Sequence, residues 1–190
     1  MFKNLLIFSA FFSIYSTNAQ IQNCNLKKSI NNEISIVDKD DIICLAKNAD
    51  SEKIILFSFG TWCSPCRLHL KNALMLQKKY DVTVYILLID RNEEKSLRAT
   101  FEYLRNREKD VTILLLSPEY SKRPNKKYRK FLVEITPNNF ENINDMSKYI
   151  LLNKEGDVEM VTNWKDNSNF DWEDDINMLK KKIIPLLSVN

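Results

Sequence analysis

Cys63 and Cys66 are the residues of this sequence best suited to do chemistry. They stand three apart in Gly-Thr-Trp-Cys-Ser-Pro-Cys-Arg-Leu-His-Leu, Gly60 to Leu70. That spacing puts both sulfurs on one helical turn, with Cys63 at or just before a helix N-terminus. There, unpaired backbone N–H groups and the helix dipole stabilise a thiolate. In such motifs a cysteine pKa near 8.5 can fall to about 3.5–7.5. Cys63 would then be the exposed nucleophile, and Cys66, one turn inside, would attack the mixed disulfide and release the reduced substrate. Pro65 removes a donor and stiffens the first turn, fixing the sulfurs relative to each other.

Two other chemistries use the same spacing. A zinc clip needs four ligands, usually a second such pair or two histidines. Here the remaining cysteines, Cys24 and Cys44, are 20 residues apart and the chain has a single histidine, so neither a metal nor any other cofactor is expected. The third reading is an inert staple inside a non-catalytic binding module. A buried strand leading straight into the pair favours redox geometry over that staple.

The elements that must position the pair follow from the apolar pattern. Lys53 to Phe59, KIILFSF, is a continuous apolar run of strand length. A helix follows from Pro65 to about Tyr80, marked by Leu68, Ala73, Leu76 and Tyr80. Val82 to Ile89 and Val111 to Leu116 are further apolar strands, separated by a charged helix over Glu93 to Arg107 with Leu97, Phe101 and Leu104 inward. Upstream, Glu33 to Val37 is a short strand. Asp40 to Ala49 is a helix capped by aspartates, with Ile42, Ile43, Leu45 and Ala46 inward.

The pattern weakens from Pro118 to Ser147, where Tyr128 to Ile135 suits a helix ended by Pro137. Tyr149 to Asn153 and Val158 to Val161 flank Lys154-Glu155-Gly156, a hairpin signal. Ser168-x-x-Asp171 reads as a capping box for a last helix through Leu187. Strands separated by helices need crossovers, so the early ones should be parallel and buried. The hairpin adds antiparallel strands, giving an α/β, thioredoxin-like architecture: a mixed sheet with helices on both faces.

Composition limits the alternatives. The 190 residues suffice for one domain, and a formal net charge of +3 gives nucleic-acid binding little support. Two glycines leave no room for a Rossmann or P-loop phosphate cradle. At the N-terminus, Lys3 precedes an apolar run from Leu5 to Tyr15, and Thr17-Asn18-Ala19 approximates a small-x-small cleavage site. The run is too short to span a bilayer. Residues 1–19 are therefore expected to be a signal peptide, 20–32 a polar lead-in and 33–190 the domain. The exported protein, periplasmic or secreted, would lack a stable membrane anchor and act as a monomer. Export permits disulfides. Cys24–Cys44 with Cys63–Cys66 is the simplest of three pairings, the alternative for Cys24 and Cys44 being two free thiols.

FSFGTWCSPCRLHL, Phe57 to Leu70, resembles the active-site segment of the exported thioredoxin-like TlpA/ResA family, and YILLNKEGDV, Tyr149 to Val158, is similar to that family's hairpin. The resemblance implies thiol–disulfide exchange with protein dithiols and disulfides and an unidentified redox partner. Cys63 would be the nucleophile, Cys66 the resolving cysteine and Trp62 a shield beside the disulfide. Two positions depart from the family. Where it commonly carries a glutamate three residues after the second cysteine, this chain has His69. An imidazole there could take the resolving thiol's proton, or it could be a histidine with no proton role. Where the family has a cis-proline before the hairpin strand, this chain has Ser147. Either Met146–Ser147 is cis, at a cost of about 2.5–4 kcal/mol, or the loop is trans and reshaped.

Two further clusters invite bland readings. Lys122 to Lys130 holds six positive charges in nine residues, which reads as a solvated face rather than a docking site for an acidic partner or membrane headgroups. Trp164, Phe170 and Trp172 read as packing for the last helix rather than a binding surface.

Overall fold

A strand that buries side chains on both faces belongs in the interior of a sheet, and that is where Lys53–Phe59 lies, buried from Ile54 onward. The computed structural model describes residues 24–29, 33–91, 93–167 and 171–187. Its strands are β1 (Lys27–Ser29), β2 (Ile34–Val37), β3 (Lys53–Phe59), β4 (Val82–Leu88), β5 (Thr112–Leu116), β6 (Tyr149–Asn153) and β7 (Val158–Val161). They form one sheet in the order β1-β2-β5-β4-β3-β6-β7. β2, β5, β4 and β3 run parallel, while β6 is antiparallel to β3, β7 to β6 and β1 to β2.

The helices are α1 (Lys39–Lys47), α2 (Ser64–Lys79), α3 (Glu94–Arg105) and α4 (Pro124–Ile135), followed by a C-terminal segment from Ile176 to Leu186. Alternation along β3 sorts them into two layers. Ile55, Phe57 and Phe59 face α2, α3 and the C-terminal segment through Leu70, Ala73, Leu97, Leu104 and Leu179. Ile54 and Leu56 face α1 and α4 through Ile42, Leu45, Phe131 and Leu132. The mixed sheet with helices on both faces is thus the observed architecture. No helix among the described residues is long and apolar enough to cross a membrane.

Several local expectations change. Within the expected polar lead-in over 20–32, Lys27–Ser29 pairs with β2, completing a sheet edge that propensity alone does not mark. Leu68, one of the residues that mark this helix, is 43% exposed, because the inward face of α2 is set by Cys66, His69, Leu70, Ala73 and Leu76. Ile43 is half-buried rather than buried, under the turn at Gly156. α4 begins at Pro124, four residues before the expected Tyr128, since proline is at home in a first turn.

The last helix starts at Ile176, not near Ser168, and tightens and loosens through a π turn and a 3-10 turn that contains Pro185. Trp164, which opens a separate 3-10 turn (Trp164–Asp166), and Trp172, on irregular chain, therefore precede it and are 48% and 52% exposed rather than packed as its core. The expected signal peptide over 1–19, Ser168 of the expected capping box and Phe170 lie outside the described residues.

Candidate redox site

β3 delivers the chain to Gly60, where Cys63 N–H donates to the Gly60 carbonyl at 3.0 Å and turns it into α2. Cys63 is the N-cap of α2, and its Sγ accepts from the Cys66 N–H at 3.2 Å. One of the helix's orphan donors thus points at the sulfur, as a thiolate requires. Pro65 occupies the first turn, and no acid there opposes a negative charge. Cys63 and Cys66 are joined in a disulfide with Cα atoms 5.3 Å apart; Cys63 keeps 6% of its surface and Cys66 none. Cys24 and Cys44 are also bonded, Cα atoms 5.8 Å apart, tying the chain before β1 to α1.

Trp62 lies beside this turn, 55% exposed. A Cβ on Gly60 would meet its indole at 2.8 Å, so the bare glycine is what lets the ring lie back. The indole Nε1 donates to Asp90 Oδ1 at 3.2 Å, and Thr100 Oγ1 donates to Asp90 Oδ2 at 2.9 Å. Asp90 is placed by the strand pairing: Ile89 N–H donates to the Phe59 carbonyl, holding the end of β4 against the end of β3. Burial raises the Asp90 carboxyl above its ordinary value, opposed by the Thr100 and Trp62 hydrogen bonds and by Lys127. The Lys127 ammonium is buried beneath, donating to the Asp90 and Leu116 carbonyls at 2.8 and 3.1 Å. Burial lowers its pKa to about 8, against the pull of the Asp90 charge.

The opposite wall comes from the loop before β6. Ser58 N–H donates to the Lys148 carbonyl at 3.0 Å and Lys148 N–H donates to Ser58 Oγ at 2.9 Å, so the loop is bound to the strand that carries the disulfide. No peptide bond among the described residues is cis: Met146–Ser147 is trans, and Ser147 instead adopts φ +64°. Left-handed backbone at a non-glycine residue costs on the order of 1–2 kcal/mol. Ser147 Oγ lies 2.7 Å from His69 Nδ1, an interaction that helps hold this conformation. Met146 is half-buried, touching the cores on both sides of the sheet.

His69 is buried, one turn along α2 from Cys66. The two departures from the family pattern, His69 and Ser147, thus meet each other. Behind them sits Asp175, fully buried. Its Oδ2 is 3.7 Å from His69 Nδ1 and accepts from Tyr149 OH at 2.5 Å; its Oδ1 accepts from Asn72 Nδ2 at 2.6 Å. Burial, and then the Asp175 charge, raises the Tyr149 hydroxyl well above its ordinary pKa, so it stays a donor. With Ser147 and Asp175 both on the Nδ1 side, the proton sits most favourably on Nδ1, leaving the lone pair on Nε2, which has no hydrogen-bond partner.

Asp175, Asn72 and Asp90 carry no role in the sequence pattern, where Tyr149 is only the start of a strand and Lys127 only one of six cations. Only Asp90 carried a signal, a carboxylate directly after a buried strand. Asp175 reads as one more acid in Glu173-Asp174-Asp175 ahead of a helix.

No family model matches the chain, and no curated protein matches it. The solved structure of StoA from Bacillus subtilis is similar in part, with a TM-score of 0.39 and 19% sequence identity over 59% of this chain and 73% of that one. So partial a likeness adds no weight, and the fold is identified by its own connections. A parallel β3-α2-β4 unit carries the cysteine pair, an antiparallel β6-β7 hairpin flanks β3 on its other side, and a helical segment closes the chain: the fold is thioredoxin-like.

Proposed function

We propose that this chain is an exported thiol–disulfide oxidoreductase of TlpA/ResA type, exchanging electrons with protein dithiols and disulfides through Cys63 and Cys66. The observation that carries the reading is the disulfide at the N-cap of α2, its outer sulfur accepting a backbone N–H and its inner sulfur fully buried. The apolar leader with its small-residue site supports export.

In the reducing direction, the Cys63 thiolate attacks one sulfur of a partner disulfide. A Cys63–partner bond forms, and the other partner sulfur leaves as a thiolate. Cys66 then loses its proton and attacks Cys63 Sγ, closing the Cys63–Cys66 disulfide and expelling the second partner thiolate. Two electrons pass to the partner. His69 accepts the Cys66 proton at Nε2, directly or through a water, while Ser147 and Asp175 hold its ring. Trp62 covers the disulfide from one side and Met146–Ser147 receives the substrate on the other.

Turnover of a disulfide substrate such as insulin, with dithiothreitol as donor, tests this. Wild type is expected to turn over, Cys63→Ser to be inactive and Cys66→Ser to accumulate the mixed disulfide. In the reduced protein, iodoacetamide at mildly acidic pH should label Cys63 well before Cys66. Equal rates for wild type and Cys63→Ser would overturn the assignment and leave a binding module stapled by its disulfide.

A further inference from the structure

The basic run from Lys122 to Lys130 does not form one solvated face. Lys127 turns inward to the Asp90 and Leu116 carbonyls, and Lys130 lines a separate depression with Asp38 and Glu134. Lys122, Arg123, Lys126 and Arg129 instead line a groove of about 1210 Å³ together with Arg91 and Trp62. Five cations therefore face a groove whose lining includes a single carboxylate, Glu93. Among the described residues, Glu93 pairs with Arg91 at 3.5 Å and the other four cations form no ion pair.

Position makes the groove more than a charged patch. Its walls are the segments that leave the carboxyl ends of β3, β4 and β5: Trp62 after Phe59, Arg91 after Leu88, Pro118 after Leu116. That edge of a parallel sheet is where α/β folds place their ligands. Asn144, from the loop that carries Ser147, contributes as well. The groove thus starts at the residue next to Cys63. The charge also opposes local helix stability. α4 begins here with Arg123 as an N-cap that makes no side-chain cap bond, and its first turn holds no acid. Lys126 adds a cation at the positive end of the helix dipole, which favours anions instead.

We infer that this groove docks an acidic segment of the redox partner, presenting the partner's disulfide or thiol to Cys63. The inference rests on the oxidoreductase reading for the partner's chemistry and adds its recognition. Five like charges along a concave wall beside a reactive sulfur steer and orient an extended acidic chain; fields of this kind raise association rates 10- to 1000-fold, falling steeply with salt. Concavity favours a polypeptide over a lipid surface, which would meet the rim and leave the floor beside Trp62 empty.

Two arms test it. In the first, a fluorescein-labelled Asp/Glu-rich peptide without cysteine binds the Cys63→Ser/Cys66→Ser protein, followed by anisotropy. The expected result is binding at least tenfold tighter than a Gly/Ser peptide of equal length at 50 mM salt, lost at 500 mM, and lost in Lys122→Glu/Arg123→Glu/Lys126→Glu. The control Lys71→Glu/Lys79→Glu, exposed on α2, keeps the preference; circular dichroism verifies that both variants are folded. In the second arm, kcat/KM is compared for peptide disulfides with acidic or neutral flanks, and the acidic one should be favoured about tenfold or more. Turnover of both at equal rates, or equal binding of both peptides, overturns the inference while leaving the oxidoreductase reading intact. Acidic-peptide binding with no turnover of either disulfide supports the groove and sinks the redox reading. Charge-dependent binding to phosphatidylglycerol vesicles without peptide preference overturns the inference in favour of a membrane surface.

Discussion

Asp175→Ala should be among the most damaging single substitutions outside the cysteines, although the residue touches neither sulfur. The carboxylate is fully buried and organises Tyr149 OH at 2.5 Å, Asn72 Nδ2 at 2.6 Å and, more loosely, His69 Nδ1 at 3.7 Å. Truncation strands two buried donors. Each costs about 1–3 kcal/mol when left unpaired, so the loss would reach about 2–6 kcal/mol. Removing a buried charge recovers part of its desolvation cost, which brings the expected net to about 2–4 kcal/mol. At about 2–4 °C per kcal/mol for a domain of this size, Tm should fall by roughly 4–16 °C. Asp175→Asn, which keeps one acceptor oxygen, should lose less. Urea denaturation with a double-mutant cycle against Tyr149→Phe measures the coupling directly. In the Tyr149→Phe background, Asp175→Ala should cost less by about 1 kcal/mol or more, because the stranded hydroxyl is gone. A loss under about 1 kcal/mol, or additivity within about 0.5 kcal/mol, would refute the reasoning that this carboxylate is a satisfied hub.

His69→Ala should slow the second step, resolution of the mixed disulfide, relative to the first, by up to the 10²–10⁴-fold usual for a general base. Stopped-flow capture of the mixed disulfide reads that ratio, and an unchanged ratio from pH 5 to 8 would remove the proton role. Cys24→Ser/Cys44→Ser opens a 20-residue loop and should cost roughly 3 kcal/mol in the chain-entropy model, read as a lower urea midpoint. Lys127→Met tests the buried ammonium. A lysine whose folded-state pKa is lowered to about 8 from 10.5 contributes stability that is present above 10.5 and lost as pH falls through about 8. Wild type should therefore gain stability over Lys127→Met as pH rises from 8 to 10.5, and a pH-independent gap would contradict the burial argument.

The order of strands and helices around the cysteine pair was readable without the fold, because apolar runs of strand length and helical periodicity are local signals. Lys53–Phe59, the hairpin at Gly156 and, to within one residue, the strand ending at Leu88 and the start of α2 at Ser64 were all legible this way. The N-terminal strand Lys27–Ser29 was not, since three polar residues become a strand only when an edge exists to pair with. Nor was the start of the last helix, which begins where Asp175 is held by Asn72 and Tyr149, distant in the chain. The same limit governs the site. Spacing nominated Cys63 and Cys66, and the resemblance to an exported thioredoxin-like segment nominated His69, three residues on. Only the tertiary structure brought Ser147 to within 2.7 Å of His69, 78 residues away, and Asp90 under Trp62. It also divided the basic run, turning Lys127 inward and its neighbours toward the groove. A side chain's charge is written in the sequence, but whether it meets water, a carbonyl or a partner depends on which face of which element it occupies. That is decided when distant strands come into register.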